Sequence, residues 1–558
     1  MAGREPRARH GGGLVSAAGP AELDPTAVAD VDRPRVPIDG HPAAIRDLTA
    51  LIDSGQIPGL YVTDGTVVHL ERVSGQAPAG AEPDGDGLTP WAAAPLRPAG
   101  LASLLAHHVF VCRLRRTKSG EIYEEEFVPA ERVLAAVLSG HYWPGLRPLH
   151  GIVAAPVLRP DGSLLQTPGY DPATGLFLAP RVRLAPIPDQ PDGDQVAAAR
   201  VFLLDRLLGD FPWTGPADRA NYLALMVSNI LRPFTRALTP FGLITATTQG
   251  SGKSILAEGI GLLYGQHPLP WPDGDDAELR KAITAALAQP AGVFVFDNIR
   301  EGGLIRSPVL AQLLTATTWT DRRLGTSATV SAVNDRLWLA TGNNLRLGGD
   351  MSTRAVLVSL DPKTARPELR TGFQIPDLPL WIRQPAHQRQ ILRALLILIR
   401  DWIAADAPRS HHVMRQFTPW AAAAGGFLDH HGIDGFLTNT ETVREMDDDD
   451  SDWTVFLARW HHLFPGRRLT SAQLRASADP DPAPTLDGHQ ADRWDGRFLL
   501  DRHGRPVNPK SLGRLLAGQV GRYHDTYVLR ADVDRHTKQK TWWVDHQTDP
   551  DPSGPAGR

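Results

Sequence analysis

Six residues with neither charge nor amide, Phe241 to Ala246, run into a short polar stretch, after which Ile255, Leu256, Ile260, Leu262 and Leu263 recur at helical spacing. The span 241–265 therefore reads as strand, loop, helix. Two further short apolar runs have the form of buried parallel strands. Val293 to Phe296 ends at Asp297-Asn298, and Leu337 to Ala340 ends at Thr341-Gly342-Asn343-Asn344. A helix is expected over 278–287 and a fourth strand over 356–360, so the middle of the chain reads as an α/β domain.

Around this centre the pattern changes. Residues 195–232 carry two helical stripes, Val201, Leu204, Leu207 and Leu208, then Tyr222, Leu225, Met226 and Ile230, and are expected to form a collar beside the sheet. Upstream, short strand-like runs (60–62, 109–111) alternate with a helical piece at 130–138, an α+β module. Asp161-Gly162 between Gly151–Leu158 and Ser163–Leu165 signals a hairpin, and turn chemistry explains Asp161 and Asp171 more simply than a metal pair does. Downstream, apolar helices are expected at 391–403, 420–428 and 453–464. Thr320 to Val333, with a turn at Asn334-Asp335, reads as a hairpin carrying Arg322 and Arg323. The expected order is a tail at 1–40, an accessory module at 41–190, the collar at 191–235, the core at 236–370, its helical continuation at 371–475, a last module at 476–546 and a tail at 547–558.

A chain of 558 residues is too long for one core, and its 42% hydrophobic and 22% charged residues are those of an ordinary soluble protein. The net charge of −4 excludes a uniformly basic nucleic-acid coat but permits a local patch. One patch is evident: residues 502–540 hold nine Lys/Arg against three acids, a net +6 that includes Lys510, Arg514, Arg522, Lys538 and Lys540. A basic helix opening at Pro509 and strands at 527–530 and 541–544 suggest a winged-helix-like DNA-binding module. Cys112 is the only cysteine, which excludes an intrachain disulfide and cysteine-based metal sites and fits a reducing, cytoplasmic setting. Met1 to Gly40 shows no apolar signal segment, and no run reaches ~18 apolar residues, so membrane insertion is not expected. The histidine pairs 107–108, 411–412, 430–431 and 461–462 are not expected to bind metal, because neighbours on a helix point apart. The D-x-D triplets lie in tail-like or turn-like surroundings, and no primase site is assigned to them.

The loop after the first strand carries the chemistry. Gly250-Ser251-Gly252-Lys253-Ser254 is the working part of a Walker A loop, although Thr247 stands where the full pattern has glycine. Gly250 and Gly252 let backbone N–H groups turn inward as an anion nest at a helix N-terminus. Thr248, Gln249, Ser251 and Ile255 complete the expected nucleotide-binding stretch. Lys253 is expected at the β- and γ-phosphates of ATP, and Ser254 at Mg²⁺. Asp297, 44 residues after Lys253 at a strand tip, can hold the same ion through its water shell. Asn343 at the next tip can bond the γ-phosphate or the attacking water. The base is left open, with Glu301 and Glu258 as candidates beside Asn298. Arg354, just before the fourth strand, is placed to act on a neighbour's nucleotide.

Together TTQGSGKS (247–254), VFVFDN (293–298), WTDRRLG (319–325) and LATGNNLRLGGDMSTR (339–354) resemble the superfamily 3, AAA+ type helicase ATPases of phage, plasmid and integrative-element replication proteins related to primase–helicases. GIVAAPVLRPDGSLLQTPGYDPATGL (151–176) is similar to the segment before the motor in those proteins. The resemblance implies a P-loop AAA+ type core and a Walker B role for Asp297 with Asn298 beside it. It further implies a sensor role for Asn343 and an arginine finger at Arg354. A ring-forming ATP-dependent DNA helicase or translocase follows, a homo-oligomer expected to be hexameric, with a separate primase or loader as possible partner. Two other readings stay open: an ATP-switched origin-binding or regulatory protein without unwinding, and a small-molecule P-loop kinase.

Overall fold

A computed structural model describes residues 33–38, 40–72, 91–272, 274–289, 291–322, 329–364, 366–446, 448–477, 507–524, 526–534 and 539–546. Arg323, Lys538 and the C-terminal tail lie outside the described residues, as does most of the expected N-terminal tail. That tail is shorter than expected, because Arg35–Pro37 pairs in parallel with Phe110–Cys112.

The centre is a five-stranded, wholly parallel sheet. Helix α1 (Pro216–Thr235) leads into β1 (Phe241–Ala246), α2 (Lys253–Tyr264), β2 (Gln266–Leu269), α3 (Asp276–Ala286) and β3 (Val293–Ile299). Then follow α4 (Pro308–Thr315), β4 (Leu337–Asn343), β5 (Ala355–Leu360), α5 (Pro385–Ala404) and α6 (Thr418–His430). The strand order is β2-β3-β4-β1-β5. The chain leaves β1 for the far edge, returns through β3 and β4, and crosses β1 to reach β5. Such a change of direction opens a crevice at the carboxyl ends of the strands.

The continuous apolar runs are explained by burial on both faces. Ile244, Val293, Val295, Leu339 and Val358 face a core shared with α1, α2, α5 and α6. Leu243, Phe294, Phe296, Trp338 and Leu357 face a second core with α3 and α4. On that side the Phe294 and Trp338 rings lie 4.7 Å apart. The collar helix packs so tightly that a Cβ on Gly242 would stand 2.4 Å from Leu339 and 2.9 Å from Leu225.

The collar is not one helix. Helix Gly193–Val201, capped reciprocally by Asp192 and Gln195, passes into a π-helical stretch, Phe202–Leu207, and α1 starts only at Pro216. The wider π turn shifts the phase of the stripe. Leu203, Leu204, Leu207 and Leu208 are buried, whereas Val201, expected on the stripe, is exposed.

Two boundaries move. The predicted hairpin forms as Val157–Leu158 against Leu164–Leu165, but Leu158 and Leu164 enter the core of the central sheet, not that of the accessory module. Buried Arg400 of α5 donates to Gly162 O and to Asp189, fixing the hairpin to the core. Asp161 accepts from Ser163, and Asp171 from Arg159 and Thr174, which accounts for both aspartates. At the other end, Trp453, Phe456, Leu457 and Trp460 pack with Leu512, Leu516, Leu529, Trp542 and Val544. The last core thus begins inside helix Asp448–Leu463, earlier than 476. It holds helices Ser471–Ala476 and Pro509–Ala517 and a four-stranded antiparallel sheet with the hairpin Tyr527–Val533 and Lys540–His546.

The accessory module has its own core around Leu48, Ile52, Leu101, Val111, Leu134 and Trp143. Among the described residues, no helix is long and apolar enough to cross a membrane.

Candidate functional site

The loop after β1 turns on two glycines with positive φ, Gly250 (+73°) and Gly252 (+98°). A side chain at 252 would be strained by that φ and would meet the Phe211 ring at 3.0 Å, so the loop needs glycine there for two reasons. Ser251 is buried, and its Oγ donates to Thr248 O at 2.6 Å, closing the loop on itself. Gln249 projects outward. Helix α2 begins at Lys253 directly above the loop, so its free N–H groups and positive dipole end face the same space. The departure at Thr247 has a use: its Oγ1 donates to Asp361 beyond β5, at 3.3 Å.

The tips of β1, β3 and β4 bring the expected residues together. Ser254 Oγ lies 3.5 Å from Asp297 Oδ1. Lys253 Nζ reaches Thr248 O at 3.4 Å, and burial lowers the Lys253 pKa while the nearby Asp297 carboxylate opposes that shift. The ammonium is half-buried over the loop, where a phosphate could replace the hydration that burial removes.

Asp297 is oriented by a residue that sequence reasoning leaves without a role. Buried Thr341 donates its Oγ1–H to Asp297 Oδ1 at 2.6 Å and accepts the Asn298 N–H at 2.8 Å. The signal was a hydroxyl residue two positions before Asn343, on the same face of β4. Just there β3 breaks register, and Asn298 takes φ +55°. A bulge re-aims the strand tip, and asparagine tolerates the left-handed region better than most residues, which explains the amide beside Asp297.

Asn343 pairs across the sheet with Ala246, the last residue before the loop. Its side chain is buried and its Oδ1 has no hydrogen-bond partner. Such an atom carries a desolvation penalty unless a ligand or water meets it. Next to it, Asn344 (φ +48°) donates to Thr247 O at 3.4 Å and to Glu301 Oε1 at 3.1 Å. Of the two candidate bases, Glu301 therefore stands at the strand tips. Glu258 is held by the Arg383 guanidinium at 2.6 and 3.2 Å, which removes it from consideration.

Arg354 is not part of this cluster. Its carbonyl accepts from Phe241 N at the start of β1, roughly 17 Å of strand away from the loop. Its side chain is 16% exposed and bonds Asp350 at 3.0 Å. Half-buried Ile255 borders an apolar recess with Leu208, Phe211 and Ile382 on the near side of α2.

The expected hairpin forms between Thr318–Arg322 and Thr329–Val333, with Arg322 exposed. Asn334, expected in its turn, is instead a buried anchor that donates to Leu313 O and Ala316 O and accepts from Trp338 Nε1. Half-buried Arg232 of the collar donates to Asn334 O; desolvation pulls its pKa down to about 10, still protonated at neutral pH, against the opposing pull of Asp335. In the last module Lys510 and Arg514 stand one turn apart on an exposed helix face, and Arg522 and Lys540 are exposed too.

No protein-family model matches the chain, and no curated protein matches it. Among solved structures, the A form apo structure of the NrS-1 C terminal region is 10% identical and covers 81% of this chain and 100% of its own, with a TM-score of 0.34. The X-ray structure of JCV helicase is 14% identical and covers 46% of this chain and 73% of its own, with a TM-score of 0.20. Likenesses of that size fix neither fold nor chemistry, which rest on the geometry above.

Proposed function

We propose that the chain is an ATP hydrolase with a P-loop, AAA+ type core that moves along DNA as a replicative helicase or translocase of a mobile genetic element. The observation that carries this reading is the convergence of Lys253, Ser254, Asp297, Thr341 and Asn343 at the tips of three adjacent strands, over a left-handed glycine loop. The residues present suit ATP with Mg²⁺. Ser254 and Asp297 stand too far apart for a strong mutual bond, and the orphaned Asn343 Oδ1 calls for a partner. Ser254 would hold the ion directly and Asp297 through water, and the ion would neutralise charge on the phosphates.

The chain's own groups divide the remaining work. The loop N–H groups and Lys253 bind the phosphates and neutralise charge as it develops. Thr341 keeps Asp297 aimed, and the Asn343 carboxamide orients the attacking water. Glu301, released from Asn344, takes its proton. Glu301→Gln is expected to lower kcat by about 10²–10⁴-fold while ATP affinity stays within a few-fold, measured by phosphate release and nucleotide titration.

The place of Arg354 supports a ring as the assembly: a residue at the far end of the sheet would serve catalysis only at a neighbour's site, a heterologous contact that closes into a ring where the rotation permits, here taken as a hexamer. The hairpin bearing Arg322 and the Lys510, Arg514, Arg522 and Lys540 face of the winged-helix-like module are the intended DNA contacts. The test is ATPase activity with and without single-stranded DNA, together with strand displacement on a forked duplex. Stimulation of several-fold with unwinding is expected. Slow, DNA-independent turnover without unwinding would instead assign the chain to ATP-switched origin binders.

A further inference from the structure

Away from the strand tips, α5 and α6 bring together three side chains that the proposed ATPase does not use: Asp401, His430 and His431. Neighbours in a helix would point apart, but α6 ends at His430. His431 leaves the helix with φ −94° and ψ 9°, so both rings turn to one side. One carboxylate oxygen, Asp401 Oδ2, faces both. His430 Nε2 stands 2.9 Å from it and His431 Nδ1 3.8 Å from it.

We propose that Asp401, His430 and His431 form a binding site for a divalent transition-metal ion of the Zn²⁺ class, which clamps α5 to α6. Four ligands around such an ion at its usual bond lengths stand about 3.3 Å apart, and the two measured separations bracket that value. All three ligand atoms lie within 4.8 Å of one another, so rotamer adjustments of the two partly exposed members would close the set. The tautomer is already set. His431 Nε2 lies 2.9 Å from Leu398 O, which can only accept, so Nε2 carries the hydrogen and Nδ1 offers a lone pair toward the carboxylate.

The surroundings suit an ion on one side only. His431 is 3% exposed and its ring meets Phe427 edge-on, whereas His430 and Asp401 are 24% and 31% exposed and leave room for water as the fourth ligand. Arg200 from helix Gly193–Val201 donates to the carbonyls of His431 and Gly432 at 2.9 and 3.4 Å. Its charge opposes a cation, while its bonds fix the turn that presents the rings. Two imidazoles and one carboxylate select zinc, cobalt or nickel over magnesium or calcium. The other histidine pairs show no such grouping: His107 bonds Ser103 O, His412 bonds Ser410, and His461 bonds Val544 O.

The experiment compares the full chain with Asp401→Asn and His430→Gln, each stripped by chelator, checked for folding by circular dichroism and dialysed against Zn²⁺. Wild type should retain about one equivalent more metal than either variant, and its melting temperature should rise by at least about 2 °C on zinc addition. Cobalt should give visible ligand-field bands in wild type that both variants lose. Equal metal content in all three proteins, or cobalt spectra unchanged by the substitutions, would overturn the site and leave a histidine–aspartate ion pair.

Discussion

Lys253→Ala lowers ATP turnover by roughly 10²–10³-fold, about 2.7–4 kcal/mol of lost transition-state stabilisation, with the melting temperature held within about 2 °C. The two halves of this expectation have separate causes. In the folded chain Lys253 makes one long bond, 3.4 Å to Thr248 O, and burial already disfavours its charge, so removing it disturbs little. Against a triphosphate the same ammonium is a half-buried point charge at the mouth of an anion nest, where its effect is greatest. Phosphate release at saturating ATP and a thermal melt read the two quantities independently. Turnover within threefold of wild type would remove the loop from the chemistry.

Arg354→Ala is expected to lower hydrolysis about 10³-fold while ATP affinity changes by less than about threefold, since the residue would act on a neighbour's nucleotide during turnover. Its ion pair with the exposed Asp350 contributes ~1 kcal/mol or less, so unfolding does not account for such a loss. In the single chain the side chain is mostly covered and must swing away from Asp350 to reach across an interface. The sharper measurement is mixing. Arg354→Ala subunits retain Lys253 and Lys253→Ala subunits retain Arg354, so a mixture of two inactive proteins should recover turnover at the interfaces where the intact residues meet. If the mixture stays as inactive as its components, the arginine acts within its own fold and the ring loses its support.

Much of the sheet could be read directly from the residues because it is buried on both faces. Uninterrupted runs such as Phe241–Ala246 and Val293–Phe296 have no other economical explanation, and each ends in a polar residue where the crevice opens. Thr341 escaped assignment because a threonine next to an Asn-rich turn has many ordinary uses. Only the cross-strand register shows it bonding Asp297. The π-helical stretch at 202–207 could not be read from a stripe, since inserting part of a turn leaves the apolar residues in place while rotating Val201 outward. The domain boundaries moved because composition locates linkers, not the cores that segments join: Leu158 and Leu164 are as apolar in either setting. Helix geometry predicts that His430 and His431 point apart, and the helix stops one residue too soon for that rule.

The grip of Arg232 on the Asn334 carbonyl has a mechanical corollary. Asn334 is where the arginine-bearing loop rejoins the sheet, and its amide is pinned on three sides. A pull on that loop meets a fulcrum rooted in the collar before it can stretch β4. On the proposed reading of that hairpin as a DNA contact, force taken from the strand would thus be passed to the helices around the core and away from the strand tips.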